Sequence, residues 1–222
     1  MIPFYVTMVV KRGIFMRDNK VVVGFYGNGK SANRYHMSFV LNRPDKFIVK
    51  TVYERHLGKS PWKRIEGVCY TDNLDEMLKD PEIDVVILSL PHHVHYACAK
   101  EVLNAGKNCV VEKPFTSTKA EAEELFALAE EKGLMVQAYQ NRRFDADFLA
   151  LKEVLASGKI GQLVRLESHY DYFKTNGWYD HLGTLYNLGV HTTDQIISLL
   201  GMPDKVRYDV RSIHHPSIGD DY

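Results

Sequence analysis

Gly27, Gly29 and Ala32 stand at the spacing G-x-G-x-x-A within Gly27-Asn28-Gly29-Lys30-Ser31-Ala32. In a loop of this kind the first glycine permits a tight turn and the second lets backbone approach a pyrophosphate. The small third residue lets a helix pack closely on a strand. A helix that opens directly after the loop offers its first N–H groups and a partial positive charge to the phosphates. The loop is not a P-loop, because Lys30-Ser31 follow the wrong glycine interval. Farther along, Glu54-Arg55 set a carboxylate, suited to ribose hydroxyls, beside a guanidinium, suited to a 2′-phosphate. Both NAD and NADP are therefore open as cofactor, with Arg55 and Lys30 tipping the choice toward NADP.

Two other groupings could do chemistry. His92, His93 and His95 invite a metal reading, but only His92 and His95 have the spacing of one helical face, and no acidic partner stands nearby. No metal site is expected there. Asn187, His191, Asp194 and Ser198 share a face by their i, i+3, i+4 spacing. They form a polar stripe on a helix whose other side carries Ile196, Ile197 and Leu200.

The elements that must position these residues alternate. Val21 to Tyr26 reads as a strand buried on both faces, and the glycine loop leads from it into a helix from Ser31 to Leu41, stopped by Arg43-Pro44. Phe47 to Tyr53 is a second strand, and His56 to Glu66 is a loop. Asn73 caps a short helix from Leu74 to Lys79. Asp84 to Leu90 is a strand, Val94 to Ala105 a helix ended by Gly106, and Asn108 to Val111 a strand. Thr118 and Glu121 make a capping box for a helix that ends near Gly133, and Leu134 to Tyr139 is the next strand. Such alternation implies a parallel sheet with helices on both faces, its ligands held at the carboxyl ends of the strands. Gly27–Gly29, Glu54–Arg55, Pro91–His95 and Glu112–Pro114 then share one rim.

After Asn141 the pattern changes. A helix is expected from Asp145 to Ser157 and another from Val190 to Leu200. Leu163 to Phe173 and Lys205 to Ser212 alternate with period two, the signature of half-exposed antiparallel strands. Val164, Leu166, Tyr170, Tyr172, Val206, Tyr208 and Val210 would face inward. The expected fold class is thus α/β with an N-terminal Rossmann-type parallel sheet, followed by an incomplete α+β domain with antiparallel strands. Its divisions are an N-terminal extension over 1–19, a dinucleotide-binding domain over 20–141 and a C-terminal domain over 142–222.

Gly27 to His36, Pro91-His92-His93-Val94-His95, Ala105-Gly106-Lys107-Asn108, Glu112-Lys113-Pro114 and Gly189-Val190-His191-Thr192-Thr193-Asp194 occur in order. In this the chain resembles the Gfo/Idh/MocA oxidoreductases, NAD(P)-dependent enzymes acting mostly on sugars, polyols and related compounds. The resemblance implies that Lys113 approaches the reacting carbon, where an ammonium stabilises a developing alkoxide. It also implies a cis bond between Lys113 and Pro114, and a histidine at position 191 that exchanges the hydroxyl proton. Pro91, His95, Glu112 and Lys113 match the family's cofactor rim. Many members carry an aspartate where this chain has Asn187, and an amide cannot serve as a base, so Lys113 and His191 are left as the catalytic pair. Arg142, Asn187 and Asp194 are candidate substrate contacts, although Arg142-Arg143 also suit a salt bridge. Trp178-Tyr179 are candidates to wall a sugar site.

Composition excludes several classes. Lys plus Arg number 28 and Asp plus Glu number 28, so no pull toward nucleic acid or anionic lipid is expected. Three cysteines without metal spacing suit a reduced, cytoplasmic protein. No apolar stretch approaches the roughly 20 residues of a membrane span, and the apolar start lacks a basic leader. By resemblance the second domain continues well beyond Tyr222, so the chain reads as truncated, with open strand edges that favour a homo-oligomer through this domain. Three functions stand at this level: an active oxidoreductase, a dinucleotide-binding sensor without turnover, and an inactive remnant.

Overall fold

The computed structural model describes residues 19–170 and 183–209. The expected extension before residue 19 lies outside them, as do Trp178 and Tyr179. The chain divides into two units after Tyr139.

In the first unit six parallel strands run in the order β3-β2-β1-β4-β5-β6. They are β1 (Val21–Tyr26), β2 (Phe47–Tyr53), β3 (Cys69–Thr71), β4 (Val85–Leu88), β5 (Asn108–Val111) and β6 (Val136–Ala138). This is the Rossmann order, and the chain reverses its direction of travel across the sheet at β1. β1 shows why an unbroken apolar run was needed. Val22 and Tyr26 enter one core layer with Met77, Leu103 and Leu125, whereas Val23 and Phe25 enter the other with Ala32, Met37 and Val52. Period-two alternation is present, but both faces are covered.

The helices follow their local signals. Helix α2 (Leu74–Leu78) is capped by the Asn73 side chain, which accepts from the Asp75 N–H. Helix α3 (His95–Asn104) follows a 3₁₀ turn at His92–Val94 and buries Ala99, Val102 and Leu103 at helical spacing. Helix α4 (Lys119–Lys132) has the expected capping box and ends at Gly133 in the left-handed region. The segment Ala105–Asn108 turns out to be a brace at the amino end of the strands. Lys107 Nζ donates to the carbonyls of Asp80 and Ile83, and burial pushes its ammonium pKa down. The Asn108 side chain donates to Asp84 O and accepts from Met135 N, both at 2.9 Å.

In the first unit two features depart from the sequence reading. The first crossover is helical over 30–41, yet Ala32–His36 is a π turn and only Met37–Leu41, α1, is regular α-helix. β3 has three residues, too few for a period to register in the sequence.

The second unit contains a 3₁₀ turn at Asn141–Phe144, α5 (Ala146–Ala156), a π turn at Leu185–Gly189 and α6 (Val190–Leu200). The expected antiparallel strands are not formed among the described residues: neither 163–170 nor 205–209 is strand. Val164 is 95% exposed and Val206 78%, so their expected inward orientation is also corrected. Alternation decides which side chains would share a face, but a strand exists only where a neighbour completes its ladder. The described residues of this unit supply no such neighbour. Residues 171–173 and 210–212 of the two runs lie outside the described residues. No helix among those described is long and apolar enough to cross a membrane.

Replacing Thr118 by Ala removes the acceptor for the Glu121 N–H. A loss of about 1 kcal/mol in unfolding free energy is expected from urea denaturation.

Candidate functional site

The carboxyl ends of β2, β1, β4 and β5 form one rim, and Gly27 sits at its centre. Its φ is +119°, and a Cβ there would lie 2.3 Å from the Ser89 carbonyl oxygen. Only glycine can make this turn against the chain leaving β4. Gly29 is different: a Cβ there would meet nothing within 4 Å. The backbone of Gly29 therefore faces open space just before the helical residues 30–41, whose first N–H groups have no acceptor within the helix. That combination fits an anionic group such as a pyrophosphate. Asn33 ties the loop down, its side chain donating to Asn28 Oδ1 and Gly29 O, each at 2.9 Å. Lys30 is exposed, Ser31 half-buried and Ala32 buried in the core.

At the end of β2, Glu54 is buried, and its Oε1 accepts from the Ser60 N–H at 2.6 Å. Ser60 Oγ in turn donates to Asn28 O at 3.1 Å, so the loop after β2 is fastened to the glycine loop. Arg34 lies over the Trp62 ring, 5.8 Å from its centroid. Arg55 is exposed. These latches were not legible in the sequence, because Ser60 carries no periodic or motif signal.

At the end of β4, Pro91 precedes the 3₁₀ turn. His95 is buried, with Nδ1 2.7 Å from Pro114 O and Nε2 2.9 Å from Leu90 O. Carbonyls only accept, so the tautomer decides to which of the two a neutral ring donates. His95 thereby joins the rim after β4 to the turn after β5. In that turn the Lys113–Pro114 peptide is cis, Lys113 is half-buried and Glu112 is buried. Glu112 Oε2 accepts from the Lys113 N–H at 3.1 Å, and Oε1 lies 2.9 Å from His36 Nε2.

In the second unit His191, the second residue of α6, is buried, with its ring stacked on Tyr170 at 6.4 Å between centroids. Arg142 donates to the Tyr170 hydroxyl at 2.7 Å and to Asp145 Oδ2 at 3.0 Å. Asp194 is held by a two-pronged contact from Arg143 at 2.7 and 2.8 Å, which pushes the Arg143 pKa up. Asn187 lies in the π turn before α6 and is half-buried. A cavity of about 340 Å³ is lined by Gln140, Leu185, Tyr186, Val190, Asp194 and Ile197.

A family model described as an oxidoreductase family with an NAD-binding Rossmann fold matches residues 19–140. A second, described as a Gfo/Idh/MocA C-terminal domain, matches residues 148–222. The chain belongs to the Gfo/Idh/MocA oxidoreductase family. Among curated Gfo/Idh/MocA relatives it is 48% identical to the uncharacterised oxidoreductase YhhX of Escherichia coli, over 89% of this chain and 59% of that protein. It is 35% identical to scyllo-inositol 2-dehydrogenase (NADP(+)) IolW of Bacillus subtilis, over 86% of this chain and 54% of that protein. The crystal structure of yhhX superposes with a TM-score of 0.81 at 46% identity, covering 89% of this chain and 59% of that one. The chain thus spans between half and two thirds of the length of these relatives.

Replacing His95 by Leu removes the ring that bridges Pro114 O and Leu90 O. An unfolding free energy lower by about 1–3 kcal/mol is expected on chemical denaturation.

Proposed function

We propose that this protein is an NAD(P)-dependent dehydrogenase or reductase acting on a sugar, polyol or related hydroxyl or carbonyl compound. The observation that carries the reading is the open space over Gly29 at the head of the first crossover helix, on a sheet with Rossmann order. Gly27 to Ala32 hold the pyrophosphate through backbone N–H groups. The nicotinamide supplies or accepts the hydride when bound. Lys113 stabilises negative charge on the substrate oxygen with its ammonium. His191 takes the hydroxyl proton in oxidation and returns it in reduction. Asn187 orients a hydroxyl, because an amide donates and accepts but carries no charge. The cavity beside α6, with Asp194 in its lining, is the candidate substrate pocket.

NADP is the proposed cofactor. One Glu54 oxygen is engaged by the Ser60 N–H, which weakens its claim on a ribose hydroxyl. Lys30, Arg34 and Arg55 are exposed around the same rim and suit a 2′-phosphate. The name of the IolW relative, an NADP(+)-linked inositol dehydrogenase, supports both the cofactor and the polyol class. A homo-oligomer through the second unit and a cytoplasmic setting complete the reading.

Fluorescence titration with NADPH and NADH, followed by a dye-linked screen over sugars and polyols, tests it. Gly29→Val places a side chain in open space, so thermal stability is expected to hold while cofactor affinity falls by at least about tenfold. Unchanged affinity in that variant would sink the site.

Lys113→Ala is expected to lower turnover by about 10²–10³-fold. His191→Ala is expected to lower it by about 10²–10⁴-fold and to remove one limb of the pH–rate profile. Full rate in either variant removes that residue from the mechanism.

A further inference from the structure

His36 is a titratable ring that the proposed chemistry does not use. It is 3% exposed, inside the crossover helix that opens at the glycine loop. It closes the π turn Ala32–His36 and has φ −118°, away from ordinary helical values. A π turn carries one residue more than an α turn and so redirects a side chain; such insertions are frequent at functional positions. Here both ends of the π turn, Ala32 and His36, are buried.

The ring meets the other side of the site. His36 Nε2 lies 2.9 Å from Glu112 Oε1, and Glu112 is 6% exposed. The carboxylate accepts, so Nε2 carries the proton. The remaining Glu112 oxygen accepts from the Lys113 N–H. The ring also packs against Tyr139 at 4.0 Å between centroids, with Phe25 edge-on at 6.4 Å. Tyr139 secures the same helix by donating its hydroxyl to Tyr35 O at 2.8 Å. Burial, and then the negative charge of Glu112, push the Tyr139 phenol up.

We propose that His36 is a positioning residue for Lys113: through Glu112 it holds the Lys113 backbone amide and ties the Lys113 turn to the glycine-loop helix. The physical reason is that a buried carboxylate with both oxygens occupied has one orientation. Without the His36 donor, Glu112 is a buried charge lacking its main partner, and it turns or takes up water. The amide it holds is then released, and the lysine stem loses its fixed origin.

The part of this inference that concerns rate rests on the dehydrogenase reading; the part that concerns the amide does not. The test uses the full chain and three variants, read by NMR hydrogen exchange at the Lys113 amide, by NADPH titration and by turnover. His36→Leu removes the donor. His36→Gln reaches the Nε2 position, and His36→Asn falls one methylene short. In His36→Leu the Lys113 amide is expected to exchange at least about tenfold faster, with global stability monitored separately. Turnover is expected to fall at least about tenfold, while NADPH affinity changes less than about threefold. His36→Gln is expected to restore both protection and rate, and His36→Asn neither. If His36→Leu does not fold, the Gln–Asn comparison decides, and identical behaviour of those two overturns the proposal. Equal protection of the amide in wild type and a folded His36→Leu also overturns it. Protection that follows the donor in a chain that turns over no substrate supports the positioning role and counts against the dehydrogenase reading instead.

Discussion

The close approach of Gly27 to the Ser89 carbonyl constrains everything built at the rim. A side chain at position 27 would have to occupy space already filled by backbone. Because that space is filled, the chain leaves β1 in one direction, and the crossover helix starts where the sheet reverses its order. The open side of the same turn, over Gly29, is the consequence. One glycine is needed to close the turn against protein, and the other leaves the opposite side open. The two positions have the same residue for different reasons, and the difference is visible only in what surrounds them.

From that turn, short polar links carry order around the rim. Ser60 joins Glu54 to Asn28. His95 joins the segment after β4 to the segment after β5. Glu112 sits between His36 and the Lys113 amide. Each link has a buried or half-buried polar group with one partner close in sequence and one far away. Leaving any one of them unmade costs more than making it gains, since the group cannot return to water. Such links specify geometry more than they add stability, and geometry is what a cofactor rim requires.

The second unit is organised by charge and rings. Arg142 and Arg143, adjacent in the chain, diverge to different partners: Tyr170 with Asp145, and Asp194. Gln195 adds a bond to the Arg142 carbonyl at 2.9 Å. These contacts fix α6 to the 3₁₀ turn at Asn141–Phe144 and set the Tyr170 ring against His191. The arginines therefore shape the surroundings of the proposed proton-exchanging histidine whether or not they touch a substrate.

Strong local signals settled much of the architecture in advance. The apolar runs of β1 and β4, the capping box at Thr118, the Asn73 cap and the glycine after α4 act over a few residues, and the chain obeys them wherever it lies. The glycine spacing likewise needed only its own neighbours. Tertiary structure decided the rest. The burial of His36 depends on a π turn that no local pattern announces, and its partner is 76 residues away. Ser60 gained its role from a loop folding back, and β3 became a strand because β2 was there to pair with it. The runs at 163–170 and 205–209 show the converse: their alternation is plain, yet without a paired neighbour among the described residues they form no strand. A helix closes its hydrogen bonds within its own segment, whereas a strand or a buried side-chain latch closes them with a distant one.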